Sequence, residues 1–419
     1  MSDASARRPA WLTAPVLTVS ALSVAAGLAQ FGVTAVIGDV AAAFGEPGSG
    51  DDLATQVGLP TTTVGIALAV IRLASLASLP AAAVADRLGR RRVLLSLAAV
   101  GLALTSLAAA APGFWWYVVL VALARPALST VNALAGVVAA EESTARDRSA
   151  AIALVAAAYG LGSGLVSVGR GLLPGEPSFR LVTAFAAVPL LLLPLLARRV
   201  REPRIATTTR RTRLIPGAIP ARFRRDVALL WAMTAVLAAA TGPGFTFLFL
   251  YGERVLGASP LSLSLLVLAA GPAGIAGLLL GRLVADRWGR RPAAALSMAA
   301  TGAAVAVGYA GSLPGLAIGY VGAVAASSAY AAPAGALAAE LVPTSVRATV
   351  AGWMTVAGVV GAVSGLVIVG TLADPTNGFA APTLGVGIVV ALVATGFARL
   401  PETRGRELDT FDAGPDVPG

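Results

Sequence analysis

Long apolar stretches, separated by short polar connections, are the dominant pattern of the chain. A transmembrane helix needs about 20 predominantly apolar residues to cross the hydrocarbon of a bilayer, and each stretch is near or above that length. The stretches lie at residues 12–40, 57–84, 93–111, 114–140, 149–172, 179–197, 227–250, 261–284, 293–311, 315–341, 348–371 and 379–399. The pattern therefore predicts an all-α integral membrane protein with twelve transmembrane helices.

Composition excludes several other classes of protein. Of the 419 residues, 57% are hydrophobic and 12% are charged, which is about half the charged fraction of a soluble domain. The chain has no histidine and no cysteine, so it lacks the commonest general base and the thiolate ligands of metals. We also find no pair of carboxylates inside an apolar stretch. We therefore expect a protein that is not an enzyme and that holds no metal and no cofactor.

The placement of arginine predicts the orientation. All 31 basic residues are arginines and the formal net charge is +10. They are spread between the apolar stretches rather than gathered on one soluble module, so we expect membrane lipid and not nucleic acid as a partner. Most of them lie in alternate connections and in both terminal segments, which marks that side as cytoplasmic. The alanine- and arginine-rich composition points to a bacterial source, and hence to a multi-pass protein of the bacterial cell (inner) membrane.

An internal repeat divides the chain. ADRLGRR at 85–91 recurs as ADRWGRR at 285–291, and SGLVSVG at 163–169 recurs as SGLVIVG at 364–370. Each pair falls at the same helix of its half. The predicted organisation is a six-helix half at 1–197, a basic cytoplasmic linker at 198–226, a second six-helix half at 227–399 and a cytoplasmic tail at 400–419. Parallel repeats of this kind place a binding site near the middle of the membrane.

The repeated segment resembles the D-R-x-G-R-R signature of the major facilitator superfamily. ELVPTSVR at 340–347 and PETRGREL at 401–408 are similar to motifs of its sugar porters and metabolite–proton symporters. The resemblance implies a secondary transporter. The internal repeat supports the hypothesis that it works by alternating access, with residues 1–197 rocking against 227–399. In the first helix, the place of the proton-coupling aspartate of sugar porters is taken by Val33.

The resemblance also implies a conformational latch on the cytoplasmic side. An alternative is that these charged residues only fix the topology. In the first half the latch would comprise Asp86, Arg87, Gly89, Arg90, Glu141 and Arg148, and in the second half Asp286, Arg287, Gly289, Arg290, Glu340 and Arg347.

Two arginines lie deep inside apolar stretches, where we find no carboxylate. A charge at the centre of a bilayer costs roughly 2.5–3.5 kcal/mol and normally faces a partner or a cavity. Arg125 and Arg72 are therefore predicted to bind an anionic ligand such as a carboxylate or phosphate, although each could instead be structural. Further candidates for substrate binding are Gln30, Thr34, Asn132, Tyr159 and Tyr330, and candidates for proton coupling are Asp39 and Glu253.

Three functions remain open from the sequence. The first is an uptake transporter for a small organic anion or polar metabolite, with proton coupling as an option. The second is a drug/proton antiporter that acts in efflux, and the third is a transporter-like membrane sensor. In each case we expect a monomer whose partners are a small molecule, membrane lipid and, where coupling occurs, protons.

Overall fold

A computed structural model describes residues 13–46, 52–144, 147–173, 178–199, 217 and 219–404, without the side chains of Asp86, Ser149 and Thr344. This part of the chain is built from helices and contains no strand. The predicted cytoplasmic linker and tail fall largely outside the described residues.

Twelve long helical segments follow one another in the order that the sequence predicts. They are α1 (Ala14–Phe44), α2 (Thr61–Ala74 and Ser78–Leu88), α3 (Arg90–Ala108), α4 (Phe114–Glu141), α5 (Arg148–Leu172), α6 (Phe179–Ala184 and Ala187–Ala197), α7 (Ala221–Thr246), α8 (Pro260–Trp288), α9 (Arg290–Gly308), α10 (Leu313–Glu340), α11 (Thr344–Ala373) and α12 (Ala380–Ala394, then a 3₁₀ turn Thr395–Arg399). The short helix Leu53–Val57 precedes α2, and a π turn, Tyr251–Val255, follows α7.

Eleven of the described helices are long and apolar enough to cross a membrane. The remaining one is α9, which is rich in alanine and glycine and therefore less hydrophobic, but which holds the same place in the second repeat as α3 holds in the first. The all-α, twelve-helix fold class is confirmed. Most boundaries differ from the apolar pattern by a few residues, and the largest difference is at α7, which begins at Ala221. Its first turns precede the apolar stretch and carry arginines.

Both repeats pack their first and fifth helices together in the same way. In the first, a side chain at Gly162 of α5 would overlap the carbonyl of Val24 on α1. In the second, a side chain at Gly361 of α11 would overlap the carbonyl of Ala235 on α7. Small residues let helix backbones approach closely, which is the main source of packing energy between helices in lipid. The two sequence repeats therefore also share the close contact between their first and fifth helices.

The chain forms two compact units, whose borders cut through two helices. One unit contains residues 1–46, 70–208 and 259–264, and the other contains 47–69, 209–258 and 265–419. The start of α2 thus belongs to the second unit and the start of α8 belongs to the first.

Helix α2 is interrupted by a 3₁₀ turn at Ser75–Ala77. Pro80 explains the position of this turn, because proline has no N–H and its ring crowds the carbonyl four residues earlier. That carbonyl belongs to Leu76. The Ser75 hydroxyl donates to the carbonyl of Arg72 at 2.6 Å, so the interruption begins directly after the deep arginine.

We predict that Gly361→Ala destabilises the protein, whereas Gly358→Ala does not. The new methyl at 361 would meet the backbone of α7, and forcing such a contact costs about 1–3 kcal/mol. At 358 the nearest atom to a new Cβ is 3.9 Å away, and alanine is the better helix former. The measurement is thermal unfolding of the two variants in detergent. Equal melting temperatures would contradict the close approach of α7 and α11.

Candidate substrate-binding site

A line of polar side chains joins α1 and α4 within the first unit. The Ser23 hydroxyl donates to Oδ1 of Asn132 at 2.6 Å, and the Ser129 hydroxyl donates to Oε1 of Gln30 at 3.4 Å. Ser23 and Gln30 are seven residues apart, so they share one face of α1. Two of the predicted binding residues, Gln30 and Asn132, therefore face the same seam between helices, which we call the polar seam.

The polar seam continues to Arg125, one turn before Ser129 on α4. The side chain of Arg125 is partly buried, and its Nε is buried without a hydrogen-bond partner among the described residues. Because α1 and α4 are antiparallel, Thr34, one turn beyond Gln30, falls at the level of Arg125. A buried guanidinium nitrogen with an unused donor is costly, so a ligand that accepts its hydrogen bond would be stabilised here.

Arg72 lies at the same depth as Arg125. The carbonyl of Ser78 on α2 is 3.4 Å from the Thr130 hydroxyl on α4, which sets the register of these two parallel helices. Arg72 precedes Ser78 by six residues and Arg125 precedes Thr130 by five, a difference in height of about 1.5 Å. Arg72 is exposed to solvent, and it interacts electrostatically with Arg125 and Tyr159. The first unit thus holds two cations side by side.

A buried ion pair joins the far ends of α1 and α5. The guanidinium of Arg170 donates to Oδ2 of Asp39 from two nitrogens, at 2.7 Å and 3.1 Å. Arg170 is only 1% exposed. Glu253, the other candidate for proton coupling, lies partly buried in the π turn after α7.

The signature loop of the first repeat contains an ion pair between Arg90 and Glu141. Gly89 provides the turn between α2 and α3 with a φ of +94°, a value that favours glycine. Arg148 donates through Nε to the carbonyl of Ala140 at 3.2 Å. Arg87 is exposed, and the side chain of Asp86 lies outside the described residues.

The second repeat forms the same contacts. Arg290 lies 3.1 Å from Asp286 and 3.5 Å from Glu340, and Gly289 makes the turn with a φ of +108°. Arg347 donates through Nε to the carbonyl of Ala339 at 3.0 Å, as Arg148 does in the first repeat. Arg287 is exposed. Charged residues that correspond to each other in the two sequence repeats thus occupy equivalent positions in the structure.

The segment after α12 docks on the signature loop of the second repeat. Glu402 accepts hydrogen bonds from the backbone N–H groups of Arg290 at 2.8 Å and Arg291 at 3.2 Å, and so caps α9. Partial burial raises the pKa of Glu402, but bonds from these N–H groups and from those of Arg404 and Thr403 outweigh it and hold the pKa below its usual value.

Two further bonds hold this segment in place. The Thr403 hydroxyl donates to Glu340, and the Arg404 guanidinium donates to the carbonyl of Arg287 at 2.6 Å. The segment therefore contacts the loop between α8 and α9 as well as the end of α10.

The family model of the Major Facilitator Superfamily matches residues 17–284 and 255–415. The chain belongs to the major facilitator superfamily. It is accordingly a transporter and not an enzyme. No curated protein sequence gives a significant match.

Solved structures of the superfamily share the fold over nearly the whole chain. A bacterial homologue of the human lysosomal transporter Spinster, inward-facing and occupied, matches with a TM-score of 0.71 at 15% identity, covering 92% of this chain and 96% of that one. The inward-open xylose transporter XylE from E. coli matches with a TM-score of 0.71 at 16% identity, covering 95% and 98%. The nucleoside transporter NupG matches with a TM-score of 0.69 at 13% identity, covering 92% and 98%. At these identities the likeness concerns the fold alone.

Most of the predicted binding residues of this transporter lie together in one unit. Gln30 and Asn132 form the polar seam, Arg125 lies one turn beyond it on α4, and Arg72 interacts electrostatically with Arg125 and with Tyr159 of α5. Tyr330 belongs to the second unit, where it is buried and packs edge-on against Phe397 with ring centroids 6.1 Å apart. Its predicted role in binding stays a prediction.

Sequence reasoning missed Arg170 and Glu402. Arg170 stands near the end of an apolar stretch, where an arginine ordinarily snorkels to the interface. Only the packing of α1 along α5 shows that Asp39 is its partner. Glu402 lies in the PETRGREL motif, which identified a branch of the superfamily but gave no sign that its carboxylate caps a helix.

We predict that Glu402→Gln lowers the stability of the protein by about 1 kcal/mol, the usual worth of a helix cap. Because the pKa of Glu402 is lowered by folding, its contribution is present above the ordinary carboxyl pKa and is lost as the pH falls through the lowered value. The thermal unfolding temperature of the variant should therefore fall less between pH 6 and pH 3 than that of the wild type.

Glu142→Gln is the matched control, because the Glu142 carboxylate has no partner among the described residues and lies directly after α4, where it caps no helix start. If both variants lose the same pH dependence, capping by Glu402 does not contribute to stability.

Proposed function

We propose that this transporter moves a small, doubly charged organic anion, such as a dicarboxylate or a phosphorylated metabolite, across the bacterial cell membrane. In this proposal both termini are cytoplasmic, the protein acts as a monomer, and the two six-helix repeats alternate access to the site by rocking. Membership of the superfamily supports transport, and the distribution of arginines supports the orientation.

The pair Arg72 and Arg125 carries the proposal. Both lie in membrane-spanning helices, at one level, and neither forms an ion pair with a described carboxylate. Two guanidinium groups repel each other, and each costs free energy at this depth. A single negative charge would neutralise one of them and leave the other. A dianion would neutralise both, and the planar guanidinium binds carboxylate or phosphate through two parallel hydrogen bonds.

The polar seam supplies neutral groups beside this pair. Ser23 donates to the amide oxygen of Asn132, which leaves the amide N–H₂ of Asn132 as a donor for a ligand. Thr34 is partly buried and is level with Arg125, so its hydroxyl is a further donor. Lipophilic cations, the substrates of an efflux antiporter, would be repelled by the same arginines.

Proton coupling, if it occurs, is proposed at Asp39, with Glu253 as the other candidate. Protonation of Asp39 would leave the charge of Arg170 buried without its counterion, and breaking a buried pair in this way costs about 3–5 kcal/mol. A rearrangement of α1 against α5 would break this pair, which would tie coupling to a conformational change. A D-xylose–proton symporter shares the fold.

We expect a dianion to raise the melting temperature of the purified protein, and Arg125→Gln or Arg72→Gln to abolish that shift. At a ligand concentration 100 times Kd, the stabilisation would be about 2.7 kcal/mol. The measurement is a thermal-shift screen with dicarboxylates, phosphorylated metabolites, monoanions, neutral sugars and lipophilic cations. Arg125→Lys should keep part of the response, because it keeps the charge but loses the bidentate geometry.

Arg180→Gln is the control for loss of a cation, because Arg180 lies at the end of α6, where it stacks on Phe179 and donates to the carbonyl of Ala109 at 2.8 Å. Its response to ligand should match the wild type. If only monoanions stabilise the protein, the proposal that the substrate carries two negative charges is wrong. If neutral sugars or lipophilic cations stabilise the wild type and the Arg125 variant equally, the proposal of an anionic substrate is wrong.

If Asp39 couples transport to protons, Asp39→Asn should abolish uptake driven by a pH gradient and leave exchange of substrate across the membrane intact. The reason is that exchange needs no net proton movement. The measurement compares both modes in proteoliposomes. Loss of both modes together would instead mean that the pair with Arg170 is only structural.

A further inference from the structure

The start of α2 has no capping side chain of its own. The first N–H groups of a helix lack partners within the helix, and a serine, threonine, aspartate or asparagine just before the helix usually supplies one. Here the residue before the helix is Pro60. The N–H groups of Thr61 and Thr62 donate instead to the two carboxylate oxygens of Asp374, at 2.9 Å and 3.0 Å.

Asp374 follows the last turn of α11, so the cap comes from the other repeat. Both threonine hydroxyls also lie within hydrogen-bonding distance of the same carboxylate, at 2.6 Å for Thr61 and 3.0 Å for Thr62. The negative charge of Asp374 is moreover placed at the positive end of the α2 dipole. The start of α2 and the end of α11 lie in the same compact unit. Four donors at the start of α2 converge on the side chain of Asp374.

The backbones of the two helices touch just below this cap. A side chain at Gly65 would lie 2.7 Å from the carbonyl of Leu366 and 3.0 Å from Cα of Gly370. Above the cap, Asn377 adopts a φ of +47° and accepts a hydrogen bond from the N–H of Leu53 at 2.8 Å. Contacts on both sides thus hold the carboxylate of Asp374 over the start of α2.

The equivalent helix of the second repeat, α8, is capped differently. Ser259, which precedes α8, accepts a hydrogen bond from the N–H of Ser262 through its own hydroxyl at 3.2 Å. Helix α8 does touch α5, since the Ser264 hydroxyl donates to the carbonyl of Ser167 at 2.7 Å, but its cap is local. Separating α8 from α5 would leave this cap intact. Separating α2 from α11 would remove the cap of α2.

We propose that Asp374 is a positioning residue of the transport cycle: by capping α2 from the end of α11, it holds the face opposite the termini closed, and it leaves the cap when that face opens. The inference rests on alternating access, which is part of the proposed function, but not on the identity of the substrate. Water can replace the cap at this end of the helix, so the bond biases the equilibrium without locking it.

The test uses the absence of cysteine from the chain. Ala69 is 4% exposed and lies one turn beyond Gly65 on the same face of α2, so Ala69→Cys provides a single thiol that becomes reachable only when α2 leaves α11. We expect Asp374→Ala to raise the rate of labelling by an impermeant maleimide about tenfold in intact cells, since the loss of a cap shifts an equilibrium by about that factor. Asp374→Asn should give a smaller increase, because an amide oxygen still caps but carries no charge.

Ser259→Ala is the matched control, because it removes the local cap of α8 and no contact between repeats. Its labelling rate should equal that of the parent. An unchanged rate in both Asp374 variants, or an equal increase in Ser259→Ala, would overturn the proposal. If Asp374→Ala does not fold, the result for Asp374→Asn decides.

The same measurement in permeabilised cells separates this proposal from the others. An increase that appears only after permeabilisation would reverse the proposed orientation but keep the role of Asp374. Because labelling needs no substrate, failure of every anion in the thermal-shift screen would leave the result unaffected.

Discussion

Inside a bilayer no water is available to bond a backbone N–H or to solvate a charge, so each polar group must find its partner within the protein. Three features of the structure concern groups that a single helix leaves without a partner. The 3₁₀ turn of α2 occurs where Pro80 removes a backbone bond, and the deep arginines lie where that turn meets α4. The start of α2, which lacks a capping residue, is placed against a carboxylate from the other repeat. The N–H groups at the start of α2 thus find their partner on a neighbouring helix, and in the proposed function the deep arginines are left for a ligand.

The repeat explains what the two halves share, and departures from it mark where they differ in function. The signature loops are alike down to the bonds of Arg148 and Arg347 to equivalent carbonyls. The deep arginines are not repeated: 200 residues after Arg72 stands Pro272, and 200 after Arg125 stands Ala325. The proposed anion site is therefore a property of the first repeat alone, added to a scaffold that both repeats share.

The sequence predicted the features that depend on local pattern. Apolar stretches of the right length predicted the helices, because that signal is contained in short segments. The sequence also singled out Arg72, Arg125, Gln30 and Asn132, since polar groups inside apolar stretches are conspicuous.

It could not predict features that depend on how distant helices align. Arg170 and Asp39 are 131 positions apart, and Thr61 and Asp374 are 313 positions apart. Asp374 and Glu402 were unremarkable in the sequence, because a carboxylate near the end of an apolar stretch is ordinarily solvated. Only the packing of α2 against α11, and of the tail against α9, turns these two side chains into helix caps.

The position of a bond relative to the repeats determines what it can control. Arg90 with Glu141, and Arg290 with Glu340, each join residues of one repeat, so these pairs keep their length when one repeat moves as a body against the other. They shape one end of their own repeat, and any role as a latch requires partners beyond it. The bond of Asp374 to the start of α2 joins one repeat to the other, so its free energy changes directly with the motion. In the proposed cycle, a cap worth about 1 kcal/mol is small enough to break each time the face opens, and it biases the equilibrium towards the closed face.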